Sequence, residues 1–495
     1  MNRNLAILLF LFILFSCQNK NLYSGGNTDP TEPTTPIDTT KKSTVDYSAP
    51  YIYPFSDEVS NAVAVITIKT NKDISASSIK PVVPYLKYNK SWLLMLTQDD
   101  VKQAIYCRTW AKINGKPSSS STYYDGKHDL YYDYPHLANN DLPSTIIKAQ
   151  DALGSTDGAG NIVRFAITST VKPEANWMNA IVNVAKNKTD NYYRFYMKSG
   201  LVWYDVMDMM NYGTGLAFHN VSATDEKDAT QVLQHYIISQ DTIMKRLSGR
   251  GCKMLAEPDG NKVYVNAALQ YPAIQTMTAQ AGTTVLYPFK VTSDLKNILI
   301  NRVFYNVVDD LKKKIQSLMN LAKEERDAVC VGVHGTDNTW LDWLQWINDN
   351  YGQKGDDSVW FPSQEEYYEY NYYRIHGERK VEQVDNRTIK LTVSLPSETY
   401  FYYPSITLNL LGLNPSDVSS ISTNDVITGF SYANYNNELM LNIDCRKHLG
   451  DMATHYVQLY EKDKTNALSK ADALYFTNML KAGTLKSNLL GRVTQ

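Results

Sequence analysis

The feature that most constrains this chain is an alternation running from residue 93 to residue 352. Short apolar runs take turns there with stretches whose apolar residues recur at helical spacing. "LLMLT" (93–97), "GLAFH" (215–219), "CKMLAEP" (252–258), "IQTMTAQ" (274–280) and "AVCVGVHG" (328–335) read as strands, and "NIVRFAITST" (161–170) is a further candidate. Residues 200–213, 228–249, 261–270, 293–327 (with breaks) and 338–352 read as helices, the first two stopping at glycine. Parallel strands cannot be joined by a tight turn and need a long crossover, usually a helix. The alternation therefore predicts an α/β fold, a parallel sheet with helices outside it, as a barrel or a doubly wound sheet.

After Arg374 the period changes. "TIKLTVSL", "SITLNLL" and "LMLNID" alternate with a period of two, separated by "NPSD" and "NYNN" turns. This predicts a small antiparallel β-sandwich of immunoglobulin-like type over 376–450, then a helical tail over 451–495. At 495 residues two or three domains are expected. The main α/β unit is assigned to 91–375 and an N-terminal β elaboration to 49–90, while "SSSSTYYDGKHDLYYDYPH" (118–136) reads as an insertion.

The N-terminus carries its own message. Arg3 precedes an apolar run, Leu5 to Phe15, which is too short to span a bilayer and has the length of a signal-peptide core. "LFSC" ending at Cys17 resembles the lipobox of bacterial lipoproteins, which implies a signal peptide over 1–17 and a lipid anchor on Cys17. Residues 18–48 are polar and rich in Thr, Pro, Asn and Gly, the composition of a flexible tether. The expected location is the cell envelope, favouring the periplasmic face over the outer surface because no acidic residues directly follow Cys17. A net charge of -2 with 20% charged residues gives no basic footprint for nucleic acid. Cys107, Cys252, Cys330 and Cys445 fit no zinc-finger spacing, and Cys252 and Cys330 fall in buried strands, so core packing is favoured over disulfides.

In parallel α/β folds the reactive residues sit where strands end at the carboxyl face. Asp99 and Asp100 follow the first strand, His219 ends "GLAFH", Glu257, Pro258 and Asp259 end "CKMLAEPD", and His334 ends "VCVGVH". Adjacent carboxylates repel and resist burial, so the Asp pair predicts a cation nearby. Other features read as structure. Trp340, Leu341, Leu344 and Ile347 follow helical spacing and predict a core stripe. "GSTDGAG" (154–160) lacks the lysine of a phosphate loop, and "ETYFYYP" (398–404) reads as rings packed on the α/β unit. The 36 tyrosines suit either half-buried strands or sugar stacking.

This set, in this order, resembles the polysaccharide deacetylases that carry a NodB homology domain. "TQDDV" stands for the first motif, "HNVSA" for the second, "AEPDG" for the third and the strand ending in His334 for the last, and "DDSVWFPSQEEYYEYNYYR" (356–374) looks like the end of that barrel. The resemblance covers roughly residues 91–374. It implies an irregular parallel (β/α) barrel, with Asp99 as general base, His334 as general acid and Asp100 and His219 as metal ligands. Ala223 stands where a second histidine is expected, so Asp225 is the candidate third ligand, with His128 or His136 as other candidates. Pro258 and Asp259 would contact substrate, although the arginine expected before this proline is missing. Two histidines and a carboxylate suit zinc, with cobalt or iron as substitutes. The implied substrate is an N- or O-acetylated or peptidoglycan-type glycan. The alternative is a catalytically impaired, carbohydrate-binding lipoprotein.

Overall fold

The computed structural model describes residues 53–57, 61–119, 146–148, 150–179, 200–220 and 227–494. The signal peptide, the tether, most of the 118–136 insertion, His128, His136, Ala223 and Asp225 lie outside the described residues. Among those described, no helix is long and apolar enough to cross a membrane.

Nine short strands build the central sheet: β1 (Trp92–Gln98), β2 (Thr168–Val171), β3 (Gly215–Phe218), β4 (Met254–Ala256), β5 (Thr276–Ala279), β6 (Leu299–Asn301), β7 (Val303–Phe304), β8 (Val329–Val333) and β9 (Val359–Trp360). Their order is β6-β5-β4-β3-β2-β1-β8-β7, with β9 also paired to β1. Every pairing is parallel. The two ends of this path, β6 and β7, are separated only by Arg302, so one segment pairs with β5 on one side and β8 on the other. The sheet thus closes almost completely into the parallel barrel expected from the sequence.

Residues 293–327 do not form the expected broken helix. Leu299–Phe304 are strand, and the helix is confined to Val308–Met319, where Asp309 and Asp310 supply the acids of a first turn. A short apolar run such as Ile298–Ile300 fits helix or strand equally. Here pairing with two neighbouring strands decides the outcome. Gly332 makes room for the seam, since a Cβ there would meet the Phe304 ring at 2.3 Å.

Alternation along β1 divides two cores. Trp92, Leu94 and Leu96 pack with the surrounding helices, whose Leu341, Leu344 and Ile347 include the predicted stripe. Leu93 and Met95 pack with Ile300, Trp360 and the tyrosines of the helix Gln364–His376. Asp99 continues the latter face.

Two four-stranded antiparallel sheets follow the barrel. Ala62–Thr70 lies between 388–395 and 418–423, and Lys80–Val82 pairs with 405–411, so the N-terminal strands are integral to the sandwich sheets. Cys107, Cys252, Cys330 and Cys445 are buried and unbridged.

The helix Gln364–His376 plugs the amino-terminal end of the barrel. Glu365 accepts from the Leu216 amide at 2.9 Å and from Arg250 at 2.5 Å, while Lys253 sits 3.5 Å from Glu365 and 2.7 Å from Glu369. Glu369 also accepts from the amides of Tyr402 and Tyr403, which binds the chain leading to the sandwich. The Tyr402 ring lies 4.2 Å from the Arg250 guanidinium, so the "ETYFYYP" rings are packed on the barrel. Tyr367, Tyr368, Tyr370 and Tyr373 are buried on the same helix.

The tail forms three helices, Leu449–Lys462, Ala467–Asn478 and Thr484–Thr494. Asp472 on the second is buried against Lys116 and Arg164 and accepts from the Tyr212 hydroxyl at 2.9 Å. Burial alone would raise its pKa, but Lys116 and Arg164 hold it below the ordinary carboxylate range. A carboxyl depressed in the folded state contributes stability that is complete above its unfolded pKa and is lost as pH falls through its folded one. Thermal stability should therefore be flat from about pH 7 to 5 and decline below about pH 4. Asp472→Asn should cost about 3–5 kcal/mol in urea denaturation at neutral pH, because two buried cations lose their partner. It should also flatten the acid limb.

Candidate active site

The carboxyl ends of β1, β3, β4 and β8 and the β6–β7 seam meet at one rim. The strand β1 runs straight into Asp99, whose amide donates to the Val333 carbonyl at 2.8 Å and so extends the ladder with β8 by one residue. Asp100 and Val101 then turn sharply, with φ of +65° and +53°. Left-handed backbone is rare, and a β-branched residue there is strained. The turn is held by the Val101 amide donating to Thr170 Oγ1 at 3.2 Å and by the Val101 carbonyl accepting from the Leu201 amide at 2.9 Å. It leaves Asp99 buried and Asp100 exposed.

His219 is buried at the end of β3. Its Nδ1 lies 2.8 Å from the Ala256 carbonyl oxygen, an acceptor, so Nδ1 carries the proton and Nε2 faces the rim. That Nε2 lies 3.7 Å from Asp100 Oδ1 and 4.0 Å from Asp99 Oδ2. Burial disfavours the imidazolium, but the neighbouring carboxylates of Asp99 and Asp100 outweigh it and raise the His219 pKa. Asp100 moves the other way: burial alone would raise its pKa, yet His219, His334 and Lys102 bring it down to about 2.

Asp99 is paired with a cation, Arg302. Arg302 Nη1 donates to Asp99 Oδ1 at 2.8 Å, and Nη2 donates to the Glu257 carbonyl at 3.0 Å. Arg302, on the seam strand, thus holds the turn before Pro258 through its backbone. Sequence reading missed Arg302 because "ILINRVF" had been assigned to a helix. Read as a strand, its alternation sets Ile300 and Arg302 on one face. The Phe304 ring lies 4.9 Å from the Arg302 guanidinium and 5.0 Å from the His334 ring, so the seam also supports His334 from below. His334 is exposed, and its carbonyl accepts from Gln98 at 3.4 Å.

Pro258 is buried, whereas Asp259 is exposed with φ of +50°. Glu257 is buried and paired with Lys262 at 2.5 Å. The rim therefore gathers Asp99, Asp100 and His219 by direct approach and carries His334 on the strand adjoining β1.

As a metal site the rim fits in part. Donors sharing a divalent ion at about 2.0–2.2 Å stand roughly 3–4 Å apart, which matches His219 Nε2 and Asp100 Oδ1. A histidine anchored through its other nitrogen to a carbonyl is a usual arrangement for a metal ligand. Among the described residues no group of three His, Cys, Asp or Glu side chains is arranged to hold a metal.

The Asp99–Arg302 pair is testable on its own. Arg302→Leu leaves a buried carboxylate alone and should lower stability by about 3–5 kcal/mol. The double variant Asp99→Asn/Arg302→Leu should recover a good part of that loss in a double-mutant cycle of chemical denaturation. Additive losses would show that the two side chains do not interact.

The family model described as "Putative polysaccharide deacetylase" matches residues 64–494, from the first sandwich strand to the last tail helix. No curated protein matches the chain. With a nearly closed parallel barrel and an acid–histidine rim inside a match of that length, the chain belongs to the polysaccharide deacetylase family.

Proposed function

We propose that the chain hydrolyses acetyl groups from an N- or O-acetylated glycan, with Asp99 as general base and His334 as general acid. The observation that carries this reading is the split environment of Asp99. Arg302 fixes Oδ1, while Oδ2 is left on the side of His219. A buried carboxylate with its charge balanced and one oxygen turned to the rim is suited to accept a proton from an attacking water. That water adds to the acetyl carbon as the bond to the sugar nitrogen or oxygen breaks. His334 returns a proton to the leaving atom, and acetate departs.

Asp100 and His219 would hold a divalent metal, most naturally zinc, with cobalt or iron as substitutes and Asp225 as the candidate third ligand. When bound, such an ion supplies Lewis acidity and lowers the pKa of a coordinated water toward neutrality. A lipid at Cys17 belongs to the same proposal. The "LFSC" motif supports it, and palmitate labelling that disappears in Cys17→Ser tests it.

Asp99→Asn should reduce deacetylation of an acetylated oligosaccharide about 100- to 10,000-fold while metal content is retained, because it removes the base and keeps both proposed ligands. His219→Ala should lose activity and metal together. A second reading, glycan binding without turnover, draws on the thin ligand set. It predicts that chelated protein supplied with zinc, cobalt or iron releases no acetate and that Asp99→Asn changes nothing in that assay.

A further inference from the structure

A large cavity lies away from the rim. It has a volume of about 730 Å³ and lies where the barrel, the sandwich and the second tail helix meet. Arg164 and Ala166, just before β2, and Tyr212 and Gly213, just before β3, form its barrel wall. It therefore opens at the amino-terminal end of the sheet, opposite Asp99 and His219. Four-residue strands at about 3.3 Å per residue put on the order of 15 Å between the two ends.

Ligand pockets run to roughly 300–1,000 Å³ and combine ring faces with a few placed polar groups. This one has both. Tyr88, Tyr212, Tyr403, Phe430 and Tyr475 line it. So do five basic and five acidic side chains, so its wall is electrically balanced. Most charges of the wall are already matched within it: Lys116 and Arg164 with Asp472, Lys87 with Glu366, and Arg446 with Asp444. Asp157, buried there too, accepts hydrogen bonds from Ser431 and Asn161. An anionic ligand would have to draw a cation from one of these pairs and strand its partner, at high cost. A neutral ligand would not. Hydrogen-bonding capacity nevertheless remains, because Arg164 is only 7% exposed and its Nε has no partner. On the opposite wall Ser431 and Asn442 form a hydrogen-bonded set with Asp157.

We propose that this cavity is a second glycan site, which takes a neutral, hydroxyl-rich oligosaccharide and holds a polymer chain at a distance from the rim. Hydroxyl groups would exchange hydrogen bonds with the paired wall side chains, and sugar faces would lie on the tyrosine rings. The choice of a saccharide rests on the glycan reading above, but binding here is measured apart from turnover there.

The test is titration calorimetry of the full chain with cellotetraose, which is neutral and has no acetyl group for the rim, with a tetrasaccharide of galacturonic acid as the charged comparison. Ala471 is exposed on the tail helix and Ile162 is 45% exposed, and both line the cavity, so Ala471→Trp and Ile162→Trp fill it without disturbing the buried pairs. The expected result is binding of cellotetraose that weakens at least tenfold in each tryptophan variant and is unchanged in Asp99→Asn and His219→Ala. Failure of turnover at the rim would leave that pattern intact. Three results would overturn the proposal: no binding of cellotetraose by a folded chain, binding lost in the rim variants but kept in the tryptophan variants, or tighter binding of the charged tetrasaccharide.

Discussion

A buried carboxylate, Asp99, and the arginine that closes the barrel, Arg302, hold this molecule's chemistry and its architecture in one ion pair. The seam strand could end the sheet anywhere along its length. It ends where a guanidinium at position 302 reaches the last residue of β1 and the carbonyl of Glu257 at the end of β4. Three strand ends are thereby tied across the mouth of the barrel. Neither charge would be tolerable alone at this depth, since stripping water from an ion costs several kcal/mol that only a well-placed partner returns. The opposed carboxylates of "QDDV" are resolved in the same way. Asp99 is neutralised by Arg302, and Asp100 turns outward on strained backbone toward His219.

The opposite end of the barrel is held by a second buried set, in which Arg250, Lys253, Glu365 and Glu369 join barrel, plug helix and the lead into the sandwich. Each carboxylate is also bonded to backbone amides. The pull of these bonds differs. Burial raises both carboxyls, but Arg250 and Lys253 win at Glu365, whose pKa is lowered, while at Glu369 burial prevails and the pKa is raised. The barrel and sandwich therefore share charged groups as well as apolar surface, in keeping with a single family match across both.

Much of this was legible in the sequence, for a physical reason. Parallel strands buried on both faces write themselves as apolar runs, and crossover helices write themselves at helical spacing, so β1, β3, β4, β5 and β8 and the helices after β3, β4 and β8 could be read directly. Asp99, Asp100, His219 and His334 followed because strand ends in such folds collect at one face. What failed was local. "NILINRVFYN" carries no caps or turn residues to separate strand from helix, and its state is set by neighbours more than 20 residues away in sequence. Arg302 was lost with it. The pairing of Ala62–Thr70 with strands near residue 390 was equally invisible, since period-two alternation reveals a strand but not its partner.

The proposed function makes the acid–histidine rim a metal-dependent centre built around the Asp99–Arg302 pair. Anomalous diffraction from crystals grown with zinc tests it most directly. The account predicts one strong peak within bonding distance of His219 Nε2 and an Asp100 oxygen, with Asp99 still held by Arg302 and outside the coordination sphere. A crystal with full zinc occupancy elsewhere and no peak at this rim, or a peak bonded to Asp99 with the Arg302 pair broken, would contradict it.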